Sequence, residues 1–399
     1  MPVLFLLVCL AAASTVEAQG LPSEPVSLGG GRVVLGAEVA ATFGSKDPGF
    51  FNYTDYKYNA LRNVRFGVTA EVRASARVQF LGELRIDHGD DVQPYALFVR
   101  IRPWPERRFD LQVGRVPPTF GAFNKSTYAY NNLLVGQPLA YQYLLSPRSD
   151  AIPANADQLL RMRGRGWQSD FPVGNPEPGP GVPIINSSRW DTGVQAHGVS
   201  GPLEWTGSVT VGSLSDPEVR DNNTGRQIAG RVVLRPTAAW QIGVSASRGA
   251  WLEQSIDEDL PDTLTANDGI QTAVGADAEY SAGALLVRGE VIRSQWTMPA
   301  VTAPAIDEPL VALSSVVEGR YKLRPGFYLA VRGERIDFAS LAGSTRTATW
   351  EADLWRIEGG PGISITRNIL LKGSWQRNRR DGGHVEHDTL VAGQIVYWF

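Results

Sequence analysis

Residues 64–87 read VRFGVTAEVRASARVQFLGELRID, and the two strands of a hairpin can be read directly from them. Val64, Phe66, Val68, Ala70 and Val72 fall on one side, with Arg65, Gly67, Thr69, Glu71 and Arg73 on the other. After Ala74-Ser75-Ala76, Val78, Phe80, Gly82, Leu84 and Ile86 alternate with Gln79, Leu81, Glu83, Arg85 and Asp87. A strand sends successive side chains to opposite faces, so this period of two marks strands with one apolar and one polar face, joined by a tight turn.

Working outward, the same template fits Val33, Leu35, Ala37, Val39, Ala41 and Phe43. It then fits segments near 94–103, 108–116, 189–199, 203–212, 226–235, 240–248, 269–280, 284–294, 310–322, 327–337, 349–358, 368–377 and 388–399. That makes sixteen strands, of which 349–358 breaks phase. The polar faces are repeatedly charged, as at Arg100 and Arg102, Arg231, Asp277 and Glu279, Arg288 and Glu290, Glu318 and Arg320, Arg332 and Glu334, and Lys372. Alternation alone fits a sandwich as well as a barrel, because both put one face on a core and one in a polar medium.

The connections separate the two. Tight turns at Ser75-Ala76, Pro103-Trp104-Pro105, Ser200-Gly201-Pro202, Pro236-Thr237, Ser281-Ala282-Gly283 and Arg324-Pro325-Gly326 alternate with longer polar links. The longest of these, the third, is 117–188. Short turns on one side and long loops on the other mark an up-and-down antiparallel barrel crossing a membrane. Trp190, Trp205, Trp240, Trp296, Trp350 and Trp375 lie close to strand ends, where such barrels carry aromatic girdles. No later stretch has the eighteen or so consecutive apolar residues of a helical span.

Composition narrows the function classes. In 399 residues, Lys+Arg 38 against Asp+Glu 41 gives a net charge of -3, without the basic excess of a nucleic-acid binder. Met1–Ala18 is an uncharged apolar run ending Val16-Glu17-Ala18, read as a cleaved signal peptide, with 19–31 a short periplasmic lead and 32–399 the barrel. The single Cys, Cys9, lies in the signal, so the mature chain has no thiol chemistry. His197 with Ser200 lacks a third residue to orient it, and His384, Glu386 and His387 have no fixed scaffold for a metal. No catalysis, cofactor, metal or nucleic acid is expected.

The chain ends with Val391, Gly393, Ile395, Tyr397 and Phe399 on one face. This resembles the terminal strand of Gram-negative outer-membrane proteins. The resemblance implies outer-membrane localisation among lipid, with Tyr397 and Phe399 as the signal read by the barrel-assembly machinery. Sixteen strands and a long third loop resemble porins whose third loop folds inward. Gly114-Arg115-Val116-Pro117-Pro118-Thr119-Phe120-Gly121 resembles the strand-end motif of the phosphate-selective porin O and P family. The expectation that follows is a homotrimeric porin passing small hydrophilic solutes or ions by passive diffusion. The alternatives are a phosphate-type anion channel and an exported soluble all-β binding protein.

Site residues follow from charge placement. Arg161, Arg163 and Arg165 recur every second residue in 117–188, with Lys125 and Arg148 nearby, so an extended segment would aim a row of guanidinium groups at an anion. The same Arg residues can instead pair with Asp150, Asp157 and Asp170 and hold the loop. Arg65, Arg73, Glu83, Arg85, Arg100 and Arg102 are expected on the lumen wall. Tyr128, Tyr130, Tyr141 and Tyr143 are available either to stack on sugar rings or to pack the loop.

Overall fold

The computed structural model describes residues 22–54, 58–104, 106 and 108–399, so the signal segment 1–18 lies outside the described residues. Sixteen strands form one closed antiparallel sheet. They are β1 (Val33–Gly44), β2 (Val64–Arg73), β3 (Val78–Asp87), β4 (Gln93–Ile101), β5 (Phe109–Val116), β6 (Asp191–Ser200), β7 (Leu203–Thr210) and β8 (Gln227–Leu234). The second half comprises β9 (Trp240–Ala250), β10 (Ile270–Ala282), β11 (Leu285–Trp296), β12 (Leu310–Arg324), β13 (Phe327–Phe338), β14 (Leu354–Thr366), β15 (Ile369–Arg380) and β16 (His387–Trp398). Each strand pairs with the next, and β16 pairs with β1 from Glu38↔Trp398 to Gly44↔Ala392.

The seam is reinforced at its end. Phe399 exchanges backbone hydrogen bonds with Ala37 at 3.0 and 3.1 Å. A three-residue strand, Val26–Leu28, turns back through Gly29-Gly30-Gly31 and pairs with Val33–Leu35. It continues the line of β16 beyond the chain terminus. All three of these Gly residues have positive φ, which a side chain rarely adopts.

The alternation holds in three dimensions. Ile228, Leu97 and Val317 on the outer face are 64%, 64% and 60% exposed, whereas Glu318, Arg332, Glu358 and Gln376 on the lumen face are fully buried. An apolar outer face on a closed barrel is costly in water and suits the hydrocarbon of a bilayer. No helix among the described residues is long and apolar enough to cross a membrane.

The segment that breaks phase has a physical cause. The strand near 349–358 is in fact Leu354–Thr366, and Thr347–Thr349 instead pairs with Ser340–Ala342 in a loop hairpin. Trp350 is pulled into the loop core, edge-on to Trp296 and Phe338, with its indole N–H donating to the Val311 carbonyl at 2.8 Å. Burial of one large aromatic side chain outweighs two further rungs of sheet there.

Candidate functional site: two levels of the lumen

The third loop, entered at Pro117, does not stay at the rim. Gln195 on β6 donates to the Pro117 carbonyl, Thr119 bonds Ser208 on β7, and Gly121 N–H donates to Ser245 on β9. Ala122 N–H reaches Glu290 on β11 at 2.7 Å. The chain then crosses to the opposite wall. Arg65 on β2 donates to the Thr127 carbonyl, Tyr128 donates to Glu83 on β3, and Ala129 N–H meets Glu38 on β1. It continues past β15, β14 and β13, and Tyr141 returns to Glu290 at 2.6 Å. The loop therefore spans the loop-side half of the lumen from wall to wall.

What holds it is a reading of backbone by charge. Lys372 gives its ammonium to three loop carbonyls, of Ala129, Asn132 and Leu134, at 2.8–3.0 Å. Glu358 accepts from Gly136 N–H, and Glu334 from Leu139 N–H. Arg332 donates to the Gly136 carbonyl and bridges Glu318, Glu334 and Glu358 at 2.5–3.2 Å. Arg356 donates to the Gln137 and Phe51 carbonyls. A non-helical segment taken out of water must find partners for every N–H and C=O, and ionised wall groups give the stronger bonds. The loop's own apolar residues, Phe120, Phe123, Leu139, Tyr141 and Tyr143 among them, complete a buried core inside the barrel.

The turn-side half of the lumen is different. Thr69, Arg73 and Lys322 on its wall are exposed, as is Lys125 on the crossing segment. Arg73 pairs with Glu71, Arg231 with Asp277, and Arg288 with Glu318. Arg102 donates to Gln79, and the Nε groups of Arg100, Arg102 and Arg320 have no hydrogen-bond partner among the described residues. Lys125, Arg100, Arg102, Arg320 and Lys322 thus bring cationic charge to this vestibule without a carboxylate at ion-pair distance among the described residues. Tyr130 lies open here, stacked on Trp398 with ring centroids 5.6 Å apart.

The residues singled out in the sequence divide between these environments. Arg65 pairs with Asp87 and Arg85 with Glu83, both beneath the loop, and the Arg85 guanidinium sits 3.2 Å over the Tyr95 ring. Arg161, Arg163 and Arg165 do not share an extended segment. Asn155 caps a short helix, α1 (Ala156–Arg161), by accepting from Gln158 N–H, and Gly164 turns the chain at φ 70. Arg161 and Arg165 are exposed, and Arg163 ties the loop to Asp381 at 3.1 Å and to Thr349. Arg148 grips Asp150 through two nitrogens at 2.9 Å and donates to the Ser169 and Glu177 carbonyls, a brace within the loop. Tyr141 and Tyr143 are packed inside, and Tyr128 lies beneath Arg85.

His197 sits between Glu204 at 3.2 Å and Asp110 at 3.8 Å, with no nucleophile bonded to it among the described residues. No group of three metal-ligating side chains is found among them either.

No family model and no curated protein matches the sequence. Solved structures do match in shape. The anion-selective porin from Comamonas acidovorans aligns over 92% of this chain and 99% of its own, with a TM-score of 0.56 at 10% identity. OmpF of Salmonella typhi, in complex with daunomycin, aligns over 92% and 97%, with 0.53 at 12% identity. OmpT, an outer membrane protein of Vibrio cholerae in a trimer form, aligns over 92% and 99%, with 0.51 at 10% identity. At these identities the likeness establishes the fold alone, a closed antiparallel β-barrel like that of these outer-membrane proteins.

Proposed function

We propose that the chain is an outer-membrane porin that lets small hydrophilic solutes diffuse passively and prefers anions. One observation carries the reading: a closed sixteen-stranded barrel with an apolar exterior and a charged lumen, narrowed by an inserted loop. The anion preference rests on the vestibule cations Arg100, Arg102, Arg320, Lys322 and Lys125. In a low-dielectric channel, charges left without partners attract counterions more strongly than paired ones do.

Several elements complete this reading. Residues 1–18 act as the export signal and residues 19–31 as a short periplasmic lead, of which the described part, 22–31, lies beside the turns. There, Tyr397 donates to the Pro22 carbonyl at 2.5 Å. Tyr397 and Phe399, with rings 5.9 Å apart at the seam, are the assembly signal. Residues 117–188 are the constriction, and Arg148 and Arg163 act by fixing its outer part. A homotrimer, as in the Vibrio protein, is the assembly proposed.

The test is current through purified, refolded protein in a planar bilayer under a tenfold salt gradient. Stepwise conductance, small for a sixteen-stranded barrel, with a reversal potential on the anion side is the expected result. A folded barrel that passes no steps would overturn the channel, and a cationic reversal potential would overturn the preference. Saturable block by low phosphate would point to the narrower phosphate-type channel.

A further inference from the structure

The apolar outer face changes character on one side of the barrel. Outward positions near the loop ends of β1–β8 are apolar, including Phe43, Val64, Leu84, Leu97 and Ile228. Arg115, outward on β5, folds back onto the Trp190 and Pro94 carbonyls. On β9–β16 the equivalent level carries Arg248, Arg293, Arg335, Arg377 and Arg379, all exposed. The register strings them into one band. Arg248 lies opposite Thr272, Arg293 between Val274 and Leu313, and Arg335 between Ser315 and Trp355. Arg377 and Arg379 lie opposite Ile357 and Trp355. Immediately toward the turn end follow Val244, Val291, Val317, Val331, Ile357 and Trp375, exposed and apolar.

A guanidinium on the outward face of a membrane barrel is out of place unless something anionic meets it at headgroup height. Of the five, Arg335 pairs with Asp337 and Arg293 binds Gln295, while Arg377 and Arg379 have no carboxylate at ion-pair distance among the described residues. The band ends in a crevice of about 810 Å³ over β8–β10. Its polar lining includes Arg226, Arg248 and Thr272, and its apolar lining Ile228, Ala246 and Val274. One polar rim above one apolar floor fits an amphiphile with a phosphate at its head.

We propose that the β9–β16 half of the outer wall is a binding surface for phosphate-bearing lipid headgroups, held by Arg248, Arg293, Arg335, Arg377 and Arg379. The proposal rests on the outer-membrane reading. Arg is suited to the role because its fork of donors matches phosphate oxygens and its charge is permanent. Within the strands of the β1–β8 half the outward positions at this level are uncharged apart from Arg115, and the nearby cations Lys46, Arg62 and Arg226 lie in the flanking loops.

The full chain, refolded and placed in phosphatidylcholine vesicles holding equal dioleoylphosphatidate and dioleoylglycerol, is re-extracted and its bound lipid counted by native mass spectrometry. Retention of phosphatidate over diacylglycerol by about tenfold or more is expected, each Arg near a membrane surface adding a share. The variant R293Q/R335Q/R377Q/R379Q should lose that preference, and the milder R377Q/R379Q should lose part of it. Arg100→Gln with Arg102→Gln, inside the lumen, should keep it. Equal retention of the two lipids by the unaltered protein overturns the proposal, as does an unchanged preference in the fourfold variant. Bilayer conductance of the same preparations tests the channel separately: loss of lipid preference with steps intact defeats this inference alone, and absence of steps defeats the channel.

Discussion

The two levels of the lumen use the same residue types to opposite ends. On the loop side, Arg332, Arg356 and Lys372 are buried, each committed to wall carboxylates or to carbonyls of the inserted loop. On the turn side, Arg100, Arg102 and Arg320 stand on the same kind of wall, at the same period of two, half-buried and without a carboxylate at ion-pair distance among the described residues. The difference is not in the strands. It lies in what faces them: backbone that must be hydrogen-bonded in one case, water and solute in the other. Charge in this barrel is structural where a loop covers it, and under the proposed reading it meets solute where none does.

Breaking the upper level should have the largest effect. Arg332→Met leaves Glu358 buried without its cation and Glu318 with Arg288 alone, a loss of about 3–5 kcal/mol. It is measured as a lower denaturant midpoint for barrel unfolding, and larger conductance steps should accompany it as the loop loosens. Arg100→Met in the vestibule should stay within about 0.5 kcal/mol of the unaltered protein. Equal losses in the two variants would erase the contrast.

Lys372→Met comes next, because its three acceptors are neutral carbonyls. About 1.5–3 kcal/mol is expected, the range for bonds to a charged group. Hydrogen exchange should quicken across residues 129–139 while β1–β16 remain protected. Uniform quickening would mean that the loop and wall unfold together.

Arg100→Gln combined with Arg320→Gln sharpens the other side. Stability should hardly change, yet the anion-to-cation permeability ratio should fall by about twofold in the salt-gradient measurement. An unchanged ratio would show that the vestibule cations are spectators.

The smallest effect is expected above the lumen, where Ser149 donates to Asp216 at 2.6 Å and Glu253 N–H donates to the Ser149 carbonyl. Burial, with the nearby Asp216 charge, pushes the Glu218 carboxyl up from 4.5 to about 7, and burial raises Asp216 and Glu253 as well. A carboxyl raised in the folded state binds its proton more tightly there than in the open loop. Its contribution to loop closure is therefore complete below pH 4.5 and fades as pH rises through about 7. Slower protease nicking of 211–226 on the acid side of that window is expected, and Glu218→Gln should flatten the dependence.

The barrel was legible because alternation is local: each strand declares its two faces without reference to its neighbours. The exception near 349–358 arose where Trp350 serves the loop core, a tertiary demand that local pattern does not record. The clamp was half legible. Glu290, Glu318, Arg332, Glu334 and Lys372 stood out as charges at lumen positions, but nothing in their spacing says that they read loop backbone. The Arg161, Arg163 and Arg165 row shows the converse. A spacing of two implies one direction only in an extended chain, and Asn155 and Gly164 impose a helix and a turn.

The seam between β1 and β16 has a consequence in time. Its partners, such as Ala37 and Phe399, are nearly the full chain apart, and contacts between such distant residues form late. A loop tethered all round the inner wall is awkward to thread into a finished cylinder, like rigging raised in a sealed bottle. The loop must settle among the strands while the wall is still an open sheet, and the last hydrogen bonds from Glu38 to Phe399 then shut it in. Refolding should accordingly show loop protection before seam protection, and a chain truncated before Tyr397 should form the packed interior yet fail to hold it closed.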